Sequence, residues 1–181
     1  MVPGVRGGLA GALALLGLLV YLLIAGGDEG GGSPGGSGRE SGAASAAREP
    51  VTARVVRVVD GDTIEVALGG GTDDVRYIGI DTPETVKPGE PVQCYGPQAS
   101  EANHELVDGR TVRLDFDREL RDVYGRLLAY VYVGDRFINE ELIAGGYART
   151  LEIEPNTSMA GELAAAEERA GEAGEGLWGA C

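Results

Sequence analysis

The chain has 181 residues, with 29 acidic against 15 basic side chains and a formal net charge of -14. Its 43% hydrophobic and 24% charged content is that of a globular protein, which excludes a collagen-like or wholly disordered chain. Two cysteines and a single histidine, His104, exclude a disulfide framework, a cysteine-rich zinc site and any centre built on two histidines.

Arg6 is followed by the uncharged stretch Gly7 to Gly27, apolar from Leu9 to Ala25. A short positive segment ahead of an apolar run reads as an export signal, residues 1–27. The run is also close to the roughly 20 residues that span a bilayer, so retention as a membrane anchor through residues 9–25 is the competing expectation. A buried core helix would show an amphipathic stripe, and none is visible. Either reading places the rest of the chain outside the cytoplasm, secreted or on the outer face of the cytoplasmic membrane. Residues 28–50 are Gly/Ser-rich and read as a flexible linker. Of the 31 glycines, 14 fall in the first 49 residues, so the glycine excess belongs to this tail. The folded domain is expected over 51–181. From residue 50 onward it carries 25 acidic against 12 basic side chains, a balance that repels a polyanion such as nucleic acid.

Within the domain, Thr52 to Val59 alternates and is rich in β-branched residues, the pattern of a strand. Asp60-Gly61 marks a turn, Thr63 to Leu68 a returning strand, Gly69-Gly70-Gly71 a second turn and Val75 to Ile80 a third strand. After a loop from Asp81 to Gly96, Pro97 to Val107 reads as a helix with proline near its start. Thr111 to Phe116 and Leu127 to Val133 read as strands four and five. A short helix over Phe137 to Ala144 ends at Gly145-Gly146, and a longer one covers Thr157 to Ala173, after which Leu177-Trp178 docks on the core. Three strands, a helix, then two strands followed by helices suit an α+β fold. The expectation is a five-stranded barrel of the OB type with three helices, acting as a monomer.

Acids and arginines gather at the strand ends: Asp60 and Asp62 in the first turn, Arg76 in strand three, Asp81-Thr82-Pro83-Glu84 after it, and Asp122 to Arg126 before strand five. Taken singly they are ordinary: Asp-Gly forms turns, Asp-Thr-Pro-Glu suits an Asx turn, and a strand arginine is usually solvated. Together they match phosphodiester hydrolysis. That reaction needs a hard cation between carboxylates, guanidinium forks for phosphoryl oxygens and a carboxylate to take a proton from water.

The stretches VVRVVDGDTIEV, VRYIGIDTPET, YGPQAS and YGRLLAYVYV, in this order and spacing, resemble the thermonuclease family, the staphylococcal nuclease-like OB-fold enzymes. The resemblance covers nearly all of residues 51 to 178. It implies Ca²⁺ as cofactor, held by Asp62, Asp81 and the backbone carbonyl of Thr82, with Asp60 behind them. It implies Glu84 as general base, and Arg76 and Arg126 on the scissile phosphate of DNA and of RNA, with cleavage leaving 3′-phosphate ends. Tyr124 and Lys87, the only lysine, are the implied substrate contacts. The chain departs from the family at Val123, where a lysine is common. It departs again after the second helix, where Glu152 and Glu154 stand in place of an aromatic substrate wall. An exported domain meets oxidising conditions, so Cys94 and Cys181 are expected to be bridged, tying the C-terminal tail to the loop beside the site; the alternative is two free thiols. Two other functional readings fit the fold: a non-catalytic OB-fold binding module and a calcium-stabilised surface domain.

Overall fold

The structure, a computed structural model, describes residues 48–85, 89 and 91–181. The signal or anchor, the linker as far as residue 47, and Lys87 lie outside the described residues.

The first strand, β1 (Val51–Val58), buries Ala53 and Val55, then turns Val56 and Arg57 outward in succession before burying Val58. A register shift between Val55 and Arg57 against β2 (Thr63–Leu68) accounts for the broken alternation: one extra residue re-aims the strand so that valine, not arginine, faces the core. β2 runs into β3 (Gly71–Tyr77) through the two-residue turn Gly69-Gly70.

The third strand differs from its sequence expectation of Val75 to Ile80. It begins at Gly71, ends at Tyr77, and hands over at Ile78 to a separate strand, β4 (Gly79–Asp81). Gly79 sits at φ +79°, a left-handed conformation that glycine reaches at little cost, and there the chain leaves the barrel. Polar groups hold the bend: Ile78 N–H donates to the Ala129 carbonyl at 3.0 Å, and buried Asn139 donates Nδ2 to the Ile78 carbonyl at 2.8 Å. β4 then pairs with β8 (Arg149–Leu151), a short strand with no clear sequence signature.

Helix α1 (Gly96–Val107) connects to β5 (Thr111–Asp115), which pairs with both β1 and β6 (Leu127–Val133). A parallel pairing of β3 with β6, Val75 opposite Leu127 and Tyr77 opposite Ala129, closes the five-stranded barrel of β1, β2, β3, β5 and β6. β7 (Arg136–Phe137) returns on β6, so Phe137 is a strand residue and α2 (Ile138–Ala144) starts one position later than expected. α3 (Ala160–Ala173) and the one-turn α4 (Leu177–Ala180) complete the chain. The barrel interior is filled by Val55, Ile64, Val66, Val75, Leu114 and Val131, and Leu142, Leu163 and Leu177 seal its helical side. The result is the expected α+β architecture, a closed five-stranded OB-type barrel with three helices, to which the one-turn α4 is added.

Candidate active site

The β1–β2 turn and the segment after β4 lie against each other on one side of the barrel. Gly61 permits the approach: a Cβ there would stand 2.7 Å from Thr82 Oγ1 and 2.8 Å from Thr82 Cβ. Asp62, only 5% exposed, fills the contact. Its Oδ2 accepts from Thr82 N–H at 2.8 Å and Thr82 Oγ1 at 3.0 Å; its Oδ1 accepts from Thr63 Oγ1 at 3.1 Å and pairs with Arg76 Nε at 3.1 Å.

Arg76, opposite Thr63 in the β2–β3 ladder, ties the same pieces together. Nη1 donates to the carbonyls of Tyr77 and Ile80, both at 2.8 Å, and Nη2 donates to Asp81 Oδ1 at 2.9 Å. Four of its five N–H groups are thus spent within the protein, leaving one on Nη2 for another ligand. Arg126 is held differently. Asp122 Oδ2 accepts its Nε at 2.7 Å while Oδ1 accepts the Arg126 and Tyr124 backbone N–H groups, each at 2.9 Å. Among the described residues neither Nη of Arg126 has a hydrogen-bond partner, so a two-pronged donor faces outward. The Tyr124 ring lies 5.5 Å from the guanidinium, 82% exposed.

Glu84 is fixed by its backbone. Its N–H donates to Gln93 Oε1 at 3.1 Å, its carbonyl accepts from Gln93 N–H at 2.9 Å, and its Oε1 accepts from Thr85 N–H at 2.8 Å. Asp60, Asp62, Arg76, Asp81, Thr82, Glu84, Tyr124 and Arg126 line one open cavity of about 400 Å³. Lys87 lies outside the described residues, and His104 sits exposed on α1 away from this lining.

The electrostatics are those of an acidic site with too little positive charge. Burial, and then the neighbouring Asp62 charge, push the Asp60 carboxyl up to about 6. Asp81 is also raised, by burial first; Arg76 opposes this while Asp62 and Glu84 reinforce it. The cavity lining holds four carboxylates against two guanidiniums, an excess that one divalent cation would neutralise. The donors are all oxygen, which suits a hard cation that keeps part of its water shell. Among the described residues no three or more Asp, Glu, His or Cys side chains are grouped so as to hold a metal ion by themselves. Asp81 offers the more open carboxylate, whereas Asp62 already accepts four contacts and would exchange one of them to ligate.

Beside this acidic cleft, and sharing Arg76, Tyr124 and Arg126 with it, lies an apolar one of about 350 Å³ walled by Ile78, Leu128, Leu151 and Ile153. Glu152 and Glu154, which the sequence places where the family has an aromatic wall, are not among this cleft's lining residues. Alternation along β8 and beyond turns Leu151 and Ile153 to the cleft, while Glu152 lines a separate small cavity with Tyr130 and Leu163. Glu154 precedes the cis-bonded Pro155 and is absent from the wall. The wall is aliphatic, not acidic.

Several positioning residues escaped sequence reasoning. Asn103 is fully buried on α1; its Nδ2 donates to the Asp60 carbonyl at 2.9 Å and its Oδ1 accepts from Tyr77 Oη at 3.0 Å, joining the β1–β2 turn to the core. The signal that could have found it is a polar residue in the apolar i, i+4 stripe Ala99, Asn103, Val107. Asp122 and Gln93 are the others; Asp122 lies in the Asp122–Arg126 motif and Gln93 in the loop from Asp81 to Gly96, neither with an assigned role. A disulfide joins Cys94 to Cys181, with Cα atoms 6.1 Å apart, beside Gln93.

A closed OB-type barrel presenting an oxygen-donor cluster and two convergent arginines defines a class of small phosphate-handling α+β domains. The model of one family, staphylococcal nuclease homologue, matches residues 74–180, and the chain belongs to that family. It is 42% identical over 127 residues to the thermonuclease of Staphylococcus hyicus, covering 70% of this chain and 75% of that protein. It is 45% identical over 133 residues to the SPbeta prophage-derived endonuclease YokF of Bacillus subtilis (strain 168), covering 72% and 45%, respectively. It is 46% identical over 122 residues to the endonuclease YncB of the same organism, covering 66% and 58%. The chain thus spans about half the length of the two Bacillus relatives.

Proposed function

We propose that this protein is a nuclease, a Ca²⁺-dependent phosphodiesterase that hydrolyses DNA and RNA at the bond to the 5′ oxygen, leaving 3′-phosphate ends. The observation that carries the reading is the convergence of Asp62, Asp81, Glu84, Arg76 and Arg126 on one open cleft with an apolar pocket alongside. Asp62, Asp81 and the Thr82 carbonyl would hold the calcium ion, which when bound supplies neutralisation of charge on the phosphoryl oxygens. The remaining work falls to the protein's own groups. The outward fork of Arg126 binds two oxygens of the phosphodiester, and the spare Nη2 proton of Arg76 binds a third contact point. Glu84 takes the proton of the attacking water at its carboxylate. Leu151, Ile153 and the exposed Tyr124 ring hold a nucleobase flanking the scissile bond. This favours single strands, whose bases are free to enter. The acidic surface weakens binding of long duplexes and makes added cations favourable to affinity. The apolar segment over residues 9–25 supports a location outside the cytoplasmic membrane.

Incubation of the full chain with single-stranded DNA and RNA, in calcium or in EGTA, tests the proposal. Calcium-dependent cleavage is expected, reduced ~10²–10³-fold in Arg126→Ala and to a similar degree in Glu84→Ala. Nucleic-acid binding without cleavage in any condition would replace this reading by the non-catalytic binding module.

A further inference from the structure

We propose that Gln93, held in place by the Cys94–Cys181 disulfide, is a positioning residue for Glu84, so that the oxidation state of this bond sets the turnover of the enzyme. The inference rests on the role of Glu84 proposed above. Glu84 lies outside regular secondary structure, between the end of β4 and the start of α1. Among the described residues, Gln93 clamps its main chain from one side. Gln93 uses its side chain to accept from Glu84 N–H and its own N–H to donate to the Glu84 carbonyl. Both bonds of the clamp therefore depend on where Gln93 sits.

Gln93 has little of its own to hold it. Pro91, Val92 and Gln93 are exposed, Val92 at 58%, and among the described residues the Gln93 carbonyl makes one turn contact, to Gly96 N–H at 3.1 Å. A segment with so few buried contacts opens at low cost. The residues on its C-terminal side are firmly fixed. Cys94 is bonded to Cys181, and Tyr95 stacks on Tyr147 with ring centroids 5.8 Å apart. The other end of the bridge is anchored by buried Leu177, whose N–H donates to the Gly146 carbonyl at 2.9 Å. Gly96, the buried first residue of α1, lies against Thr85 and the Pro83 carbonyl. The bridge thus carries the anchorage of α4 on the turn after α2 into a fixed position for the residue next to it, and through that residue for Glu84. Misplacement of a reacting group by about 1 Å can cost ~10²-fold in rate.

Reduction by a dithiol breaks the S–S bond and transfers two electrons and two protons to the two sulfurs. Two cysteine thiols form, and the dithiol becomes a disulfide. The expected result, measured well below the melting temperature, is a fall in kcat of about tenfold or more on reduction with KM within twofold. The same fall is expected in the paired Cys94→Ser, Cys181→Ser variant. Gln93→Ala, with the bridge intact, is expected to lower kcat likewise, and Gln93→Glu, which keeps an acceptor for Glu84 N–H, to recover most of it. Amide hydrogen exchange at Glu84 and Gln93 should accelerate on reduction while β6 amides stay protected. Unchanged kcat in both Gln93→Ala and the reduced protein, with Glu84→Ala still inactive, would overturn the proposal and leave the nuclease reading standing. If the oxidised wild type cleaves nothing, the nuclease reading fails. Exchange at Glu84 and Gln93 that ignores reduction would separately refute the clamp.

Discussion

Asn103→Ala offers the sharpest test of how the fold carries the site. The substitution removes two hydrogen bonds and orphans both partners: the fully buried Tyr77 hydroxyl, whose ionisation burial pushes far up, and the partly buried backbone carbonyl of Asp60. A buried polar group left without a partner costs about 1–3 kcal/mol, so the hydroxyl with a smaller share from the carbonyl predicts a loss of roughly 2–4 kcal/mol. Against a total stability of about 5–15 kcal/mol for a domain, that is a large fraction. Urea unfolding of wild type and variant measures it as a drop in midpoint at constant m-value. Tyr77→Phe completes a cycle. In the wild-type background it strands the Asn103 acceptor and costs about 1–3 kcal/mol, whereas in the Asn103→Ala background it removes an already orphaned hydroxyl and is neutral or stabilising. A single-variant loss below about 1 kcal/mol, or additive effects in the double variant, would refute the view that this pair is a buried, mutually dependent link between α1 and the β1–β2 turn.

Two further outcomes are expected. Asp122→Ala frees Arg126 Nε together with the Tyr124 and Arg126 backbone N–H groups, so steady-state kinetics should show kcat/KM reduced about tenfold, with Arg126→Ala no worse in the Asp122→Ala background than alone. Asp117 is held below its ordinary 3.8; burial works to raise it, but hydrogen bonds from Ser158 and the Tyr130 hydroxyl outweigh that. A lowered carboxyl contributes stability that is present above its unfolded pKa and lost as pH falls through the folded one. The urea midpoint of Asp117→Asn should therefore fall less steeply than wild type below about pH 4, and identical acid limbs would rule the contribution out.

The candidate site was legible in the sequence because its residues are packed into short, local motifs. Asp60-Gly61-Asp62, Asp81-Thr82-Pro83-Glu84 and Tyr124-Gly125-Arg126 each place their functional groups within a turn of chain, where geometry follows from a few dihedrals. The strands β1, β2, β5 and β6 were legible for a similar reason: alternation and β-branching report a face, and a face is a local property. The glycine run after β2 marked the second hairpin's turn in the same way, although the turn itself is only Gly69-Gly70 and β3 already begins at Gly71.

What the sequence by itself determined, then, was the barrel's order of elements and the inventory of reactive side chains. Only the tertiary structure decided how those side chains are spent. Arg76 reads as a phosphate-binding fork, yet four of its donors are consumed in joining Asp62, Asp81 and the Ile78–Ile80 bend. Those partners come from three segments that meet only when the barrel closes. The split of the third strand at Gly79 depends on Asn139 and Ala129, far along the chain, and β8 becomes a strand only because β4 leaves the barrel to meet it. The wall of the apolar cleft likewise turned on register: a step of one residue along the chain would exchange Leu151 and Ile153 for Glu152 and Glu154. Long-range pairing sets that step, and local sequence carries no record of it.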